Sequence, residues 1–169
     1  MIIREIREDD AILFLDLQKT IEEETQFMLL ESGERETAVA EKRKLIRAVL
    51  NRDNQTVFVV ENNDGRLVGY LRALGGEYEK SRHTAYITMG VLQEFTGQGL
   101  GTRLLETLDE WAQHNGIHRL ELIVMQPNKA AIGLYEKMGY EIEGTKRDSL
   151  FIDGVYVDEY YMGKLLPKS

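Results

Sequence analysis

Apolar and charged residues alternate over Ile2–Ile6, which predicts a short opening strand, since strand side chains point to alternate faces. Asp9 or Asp10 can cap a helix running to about Lys19, with Ile12, Leu13, Leu15 and Leu17 on its apolar side. Glu22–Glu36 shows no steady period and closes at Ser32-Gly33. Thr37 then caps a second helix, on which Val39, Leu45, Ile46, Val49 and Leu50 form one buried stripe. Gln55–Glu61 and Arg66–Leu74 read as strands. Between them Asn62-Asn63-Asp64-Gly65 gives a hairpin turn, because Asn, Asp and Gly tolerate positive φ. A further strand covers about Thr84–Leu92. It is followed by Thr96-Gly97-Gln98-Gly99-Leu100-Gly101 and a helix to about His114, with Leu104, Leu105, Leu108, Trp111 and Ala112 at helical spacing. Gly116 ends that helix. Leu120–Met125 is apolar enough for a buried central strand. Asn128 opens a helix through Met138 that Gly139 stops. Two last strands, about Tyr140–Ile152 and Val155–Leu165, flank the tight turn Asp153-Gly154.

The order β-α-α-β-β-β-α-β-α-β-β predicts an α/β (α+β) fold. It is a single domain over residues 1–169, with a mixed, mostly antiparallel sheet of six to seven strands and helices on both faces. The 169 residues suit one sizeable core, and 43% apolar with 30% charged content is that of a folded chain. No apolar run approaches the length needed to cross a membrane, and the charged opening residues do not read as a secretory signal. Cysteine is absent, which removes disulfides, thiolate metal sites and cysteine nucleophiles, calls for no metal and makes the cytoplasm the default location. A net charge of −8 argues against nucleic-acid partners. A membrane partner is not expected either.

Three glycines at alternate positions before an amphipathic helix leave backbone N–H groups open, and with the helix dipole these form a site for an anion such as a pyrophosphate. A P-loop needs Lys and Ser/Thr after the last glycine, but Gly101 is followed by Thr102-Arg103. A dinucleotide fold needs the glycines tight against the strand, whereas Gln93–Thr96 intervenes and Thr102 stands in the third glycine's place.

In these motifs the chain resembles the GNAT superfamily of N-acetyltransferases. That family's cofactor signature is a strand ending in Val, a spacer, then Gln/Arg-x-x-Gly-x-Gly/Ala entering a helix. Here Val91 ends the strand, Gly99-Leu100-Gly101 supplies the glycines, and Thr96 replaces the Gln/Arg. A second family segment appears as Asn128-Lys129-Ala130-Ala131-Ile132-Gly133-Leu134-Tyr135-Glu136-Lys137-Met138-Gly139-Tyr140, with Tyr140 for the usual Phe. The resemblance implies acetyl-CoA as co-substrate, held by Met89, Gly90, Val91, the run Thr96, Gly97, Gln98, Gly99, Leu100, Gly101 and Thr102, and by Asn128, Ala131 and Tyr135. It implies that the strand ending at Val91 splays from its neighbour, so that the pantetheine arm pairs with Met89–Val91 and one N–H faces the thioester carbonyl. Tyr135 resembles the family's general acid toward the departing thiolate.

Candidate bases for the attacking amine are Glu24, His83 and Glu121, each with a plainer reading. Glu24 fits a solvated helix face, His83 an exposed strand start, and Glu121 a carboxylate that needs a partner on a central strand. The expected reaction is acetyl transfer to a primary amine in a ternary complex, since no cysteinyl acetyl-enzyme can form. The closing stretch Glu143–Asp158 is similar to a GNAT branch acting on amino acids, polyamines or protein N-termini. The resemblance leaves room for a homodimer. A CoA-binding sensor without turnover and a transferase of longer acyl groups are the rival readings.

Overall fold

The computed structural model describes residues 1–168. In chain order it has strand β1 (Ile2–Glu5), helices α1 (Ala11–Glu24) and α2 (Val39–Leu50), then β2 (Gln55–Glu61), β3 (Leu67–Gly75) and β4 (Thr84–Val91). Helix α3 (Leu100–His114), β5 (Arg119–Met125), α4 (Lys129–Lys137), β6 (Glu141–Ile152) and β7 (Val155–Leu165) complete it. The strands form one seven-stranded sheet in the order β1-β2-β3-β4-β5-β7-β6. Every neighbouring pair is antiparallel except β4 and β5.

The parallel pair sets the geometry of the molecule. β4 and β5 register only at Thr84–Arg119, Ala85–Leu120 and Tyr86–Glu121, and beyond these pairs the strands part. β4 stays paired with β3 as far as Val91–Gly69, and β5 with β7 as far as Met125–Glu159. The sheet is therefore closed at one end of its middle and open at the other.

Helices cover both faces. A Cβ built at Gly90 meets Ile21 of α1, while the neighbouring Met89 reaches the opposite side, near Gly101 of α3. Successive residues on a strand face opposite ways, so α1 and α3 flank β4 from its two sides. The α3 side is tightly apolar: Leu104, Leu105 and Leu108 are buried, each worth roughly 1.5–3 kcal/mol of transfer from water. On the other side Phe14 of α1 meets Tyr70 of β3 edge to face at 5.2 Å.

Most strand bounds agree with the alternation in the sequence, and the helices of the N-terminal third depart from it. α1 continues five residues past Lys19 to Glu24, and it buries Phe14, Leu15, Leu17, Gln18, Ile21 and Glu22 rather than Ile12 and Leu13. Gln18 and Glu22 continue the inward stripe at helical spacing because the chamber behind β3 and β4 is partly polar. Ala38, not Thr37, occupies the N-cap of α2, with no side-chain cap. Its stripe also differs, since Leu45 and Val39 are exposed while Ile46 and Lys42 are buried. Lys42 is 5% exposed, with its Nζ 5.2 Å from the centre of the Phe14 ring.

Burial of the Lys42 ammonium, aided by the nearby Arg35 and Arg72, pulls its pKa from the ordinary 10.5 to about 8. The folded chain thus holds this proton less tightly than the unfolded chain, and stability rises with pH between about 8 and 10.5. Lys42→Met keeps the volume and removes the buried charge. Thermal unfolding should show a gain of about 1–3 kcal/mol at pH 7 that shrinks as pH climbs through this window. A loss at pH 7 would mean that the contact with Phe14 outweighs desolvation.

Candidate active site

Where β4 and β5 part, a cleft of about 1280 Å³ passes through the sheet. Its wall on the α3 side includes Met89, Gly99, Leu100, Gly101, Asn128, Ala131, Leu134 and Tyr135. On the α1 side it includes Gln18, Glu22, Arg35, Tyr70, Arg72, Tyr86 and Glu159. Two ligands entering from opposite faces can meet at the gap.

The glycine run shapes the first half. Gly97 and Gly99 have φ of 75° and 79°, and a Cβ at either meets no protein atom within 4 Å. Gly99 is the N-cap of α3, and the first intrahelical bond is donated by Arg103 N–H to the Gly99 carbonyl at 3.1 Å. The N–H groups of Leu100, Gly101 and Thr102 therefore precede the helical ladder, and all three residues line the cleft. Open backbone, free donors and the positive helix end make a cradle that fits a pyrophosphate. Gly101 serves another purpose. A Cβ there would lie 2.7 Å from the Leu134 side chain, so this glycine lets α3 approach α4.

Thr96, which departs from the family pattern, donates its hydroxyl to the Gln93 carbonyl at 2.7 Å and tightens the turn ahead of the loop. Thr96→Ala should lower CoA affinity less than about tenfold by calorimetry, the worth of one exposed hydrogen bond, about 0.5–1.5 kcal/mol. A hundredfold loss in a folded variant would make the hydroxyl a direct ligand.

Tyr135 lies at the junction of the two halves. It is 7% exposed, packs edge to face on Tyr140 at 5.7 Å, and its charge environment includes Tyr70 and Tyr86. Burial raises its pKa well above the ordinary phenol value, so the hydroxyl stays protonated at any working pH. Asn128 caps α4 by accepting from Ala131 N–H at 3.3 Å, which places its side chain and Ala131 on the same wall. Of the residues assigned to the cofactor from the resemblance, only Gln98 does not line the cleft.

The three candidate bases separate in space. Glu24, at the end of α1, is on the cleft wall, where its Oε2 accepts from Gln93 N–H at 2.7 Å and ties α1 to the end of β4. His83 lines a separate depression of about 440 Å³ with Asp53, Arg82 and His114. Glu121 is not on the cleft wall; its carboxylate takes Arg119 Nε at 2.9 Å, and the same guanidinium binds Glu143. This chain of charges meets the need for a partner that the sequence raised for Glu121. Arg72, Tyr86, Lys146, Ser149 and Glu159 also face the cleft and belong to no motif. The irregular pairing of β6 between Lys146 and Leu150, with Asp148 at φ 48°, turns this stretch toward the gap. Ser149 Oγ donates to Glu159 there. Of these five, the sequence pointed only to Lys146 and Ser149, through the resemblance of the stretch Glu143–Asp158 to one GNAT branch.

Comparison with known proteins agrees with this architecture. The model of the acetyltransferase (GNAT) family matches residues 16–140, and the chain belongs to that family. The L-amino acid N-acetyltransferase AaaT of Escherichia coli is 33% identical over 106 residues, which are 60% of this chain and 64% of that protein. The match thus spans under two thirds of that relative. A GNAT-family acetyltransferase from Streptococcus pneumoniae superposes with a TM-score of 0.94 at 30% identity, over 98% of this chain and 99% of that one. The yncA structure from Salmonella typhimurium, solved with its cofactor acetyl-CoA, shares the fold at a TM-score of 0.87 and 20% identity, covering 100% of this chain and 95% of that one.

Proposed function

We propose that residues 1–169 form one acetyl-CoA-dependent N-acetyltransferase, acting in the cytoplasm, which moves the acetyl group to a primary amine by direct transfer in a ternary complex. The observation that carries this reading is the cleft through the parted β4 and β5, with an anion cradle on one face and Tyr135 at the junction. Acetyl-CoA fits with its pyrophosphate on the Gly97–Thr102 backbone and its pantetheine arm along the open edge of β4 at Met89–Val91. An N–H on that edge then stabilises the negative charge that develops on the thioester oxygen when the amine attacks. The C–N bond forms and the C–S bond breaks. Tyr135 meets the departing sulfur with its hydroxyl, and the amine's proton leaves through water toward a cleft carboxylate. Glu24 and Glu159 make no ion pair among the described residues, whereas Glu22 is held by Arg35 at 2.7 Å.

The amine class follows from the family, and its L-amino-acid-acetylating relative in Escherichia coli supports an amino acid among the acceptors left open by the sequence. No helix among the described residues is long and apolar enough to cross a membrane. The test is a panel of amino acids, polyamines and peptides with acetyl-CoA, read by free-thiol release and mass spectrometry of the product. A mass gain of one acetyl group on an amine is the expected result. Tight CoA binding with no turnover on any amine would instead favour a sensor, and faster turnover with longer thioesters would favour a different acyl donor.

A further inference from the structure

The α1 side of the cleft carries a charge arrangement that acetyl-CoA does not use. Arg72 sits at the middle of β3, half-buried, on the same face as Tyr70 and across from Thr88 of β4. It forms no salt bridge and no side-chain hydrogen bond among the described residues. Its charge is felt by Tyr70, by Tyr86 and by Lys42, which places it at the centre of this wall. Two more cations stand nearby, Lys42 and Arg35, and the carboxylate of Glu22 is bound by Arg35 through both its oxygens. Arg35 is thus neutralised by Glu22, while Arg72 has no ion-pair partner among the described residues, in a chain whose net charge is −8. On the same wall Gln18 is 3% exposed, touches the Tyr70 hydroxyl with its amide, and leaves its Oε1 without a partner among the described residues.

A half-buried guanidinium without a carboxylate, facing a cleft, is costly unless a ligand supplies the anion. The planar fork of Arg matches a carboxylate through two parallel bonds. On the same wall Glu159 lies near Tyr86, next to the gap where the thioester must be attacked. Arg72 on β3 and Glu159 on β7 thus offer opposite charges on one face of the sheet, with β4 and β5 between them.

Resting on the N-acetyltransferase reading, we propose that Arg72 selects the acceptor by binding a carboxylate, so that the acceptor is a small amine carrying a carboxylate, with its amino group presented toward the Glu159 side of the gap. Polyamines, which carry no carboxylate, gain nothing from Arg72. Arg35 is occupied by Glu22 and Lys42 is not on the cleft wall, which leaves Arg72 as the group for this carboxylate.

The experiment compares L-amino acids with their carboxamides and with a polyamine, at saturating acetyl-CoA, in the wild-type chain, Arg72→Gln and Arg72→Lys. The wild type should prefer each acid over its amide by about 10–100-fold in kcat/KM, mainly through KM. Arg72→Gln should reduce that preference to within a few-fold while acetyl-CoA affinity and the rate on the amide persist, and Arg72→Lys should keep part of it. Equal use of acid and amide by the wild type overturns the proposal. So does an equal loss on acid and amide in Arg72→Gln, which would mark a structural role. If nothing in the panel is acetylated, the transferase reading fails, and titration of L-amino acids and their amides into the protein–CoA complex decides separately. Carboxylate-dependent binding that Arg72→Gln abolishes supports the assignment, and binding without that dependence, or none, overturns it.

Discussion

Replacing Tyr135 with Phe is expected to lower kcat about 10²–10⁴-fold on an accepted amine, while acetyl-CoA still binds. The substitution keeps the ring, so the edge-to-face contact with Tyr140 and the burial among α4 and the sheet survive. Only the hydroxyl is lost. Burial holds that hydroxyl protonated, with a pKa far above the ~8.5 of a free thiol, so complete proton transfer to the thiolate is uphill. Its contribution is therefore a hydrogen bond that strengthens as charge builds on sulfur, in a site with little water to compete. Two further results follow. Rate should not fall at alkaline pH through ionisation of Tyr135, and the loss in Tyr135→Phe should shrink for a thioester whose thiol is more acidic. Wild-type turnover in a folded Tyr135→Phe protein would remove this residue from the mechanism and leave the anion cradle untouched.

The motif-bearing middle of the chain was legible because its signals are local. Gly99 and Gly101 are forced by a left-handed cap and by a helix contact, and Asn128 is forced by a helix start. The Asp153-Gly154 turn follows the same logic, with φ of 48° and 79° at its two residues. The parting of β4 from β5 came only through the family resemblance, because no residue type marks where a parallel ladder stops. On the α1 side of the cleft the individual buried side chains were not legible. Gln18, Glu22 and Lys42 read as polar positions of surface helices, yet all are buried, because the chamber they enclose is itself polar. Arg72 looks like the outward residue of an alternating strand. It becomes notable only when its neighbours across the sheet prove to hold no carboxylate for it. Ionic partners separated by tens of residues, such as Arg119 with Glu143, cannot be paired from composition or period. Glu121's own partner, Arg119, is two positions away on the same strand face, and alternation alone does not mark that the two side chains bond.

Gly99→Val should separate the two tasks of the glycine run. The backbone there has φ 79° and ψ 11°, a left-handed conformation that costs an L-residue roughly 1–2 kcal/mol, more when the side chain is β-branched. That strain should lower the unfolding temperature by several degrees, at roughly 2–4 °C per kcal/mol for a chain of this size. No protein atom lies within 4 Å of the new Cβ, so no internal clash adds to it. The space that the side chain enters is the cradle itself, beside the N–H groups of Leu100, Gly101 and Thr102. An approaching pyrophosphate then loses a charge-assisted bond worth about 1.5–3 kcal/mol, and CoA affinity should fall about 10–100-fold. Gly101→Ala provides the contrast. Its Cβ presses on Leu134 rather than on the ligand, so stability should fall with a smaller change in affinity for the fraction that folds. Calorimetry showing unchanged CoA affinity in folded Gly99→Val would move the pyrophosphate away from this loop, whatever becomes of Tyr135.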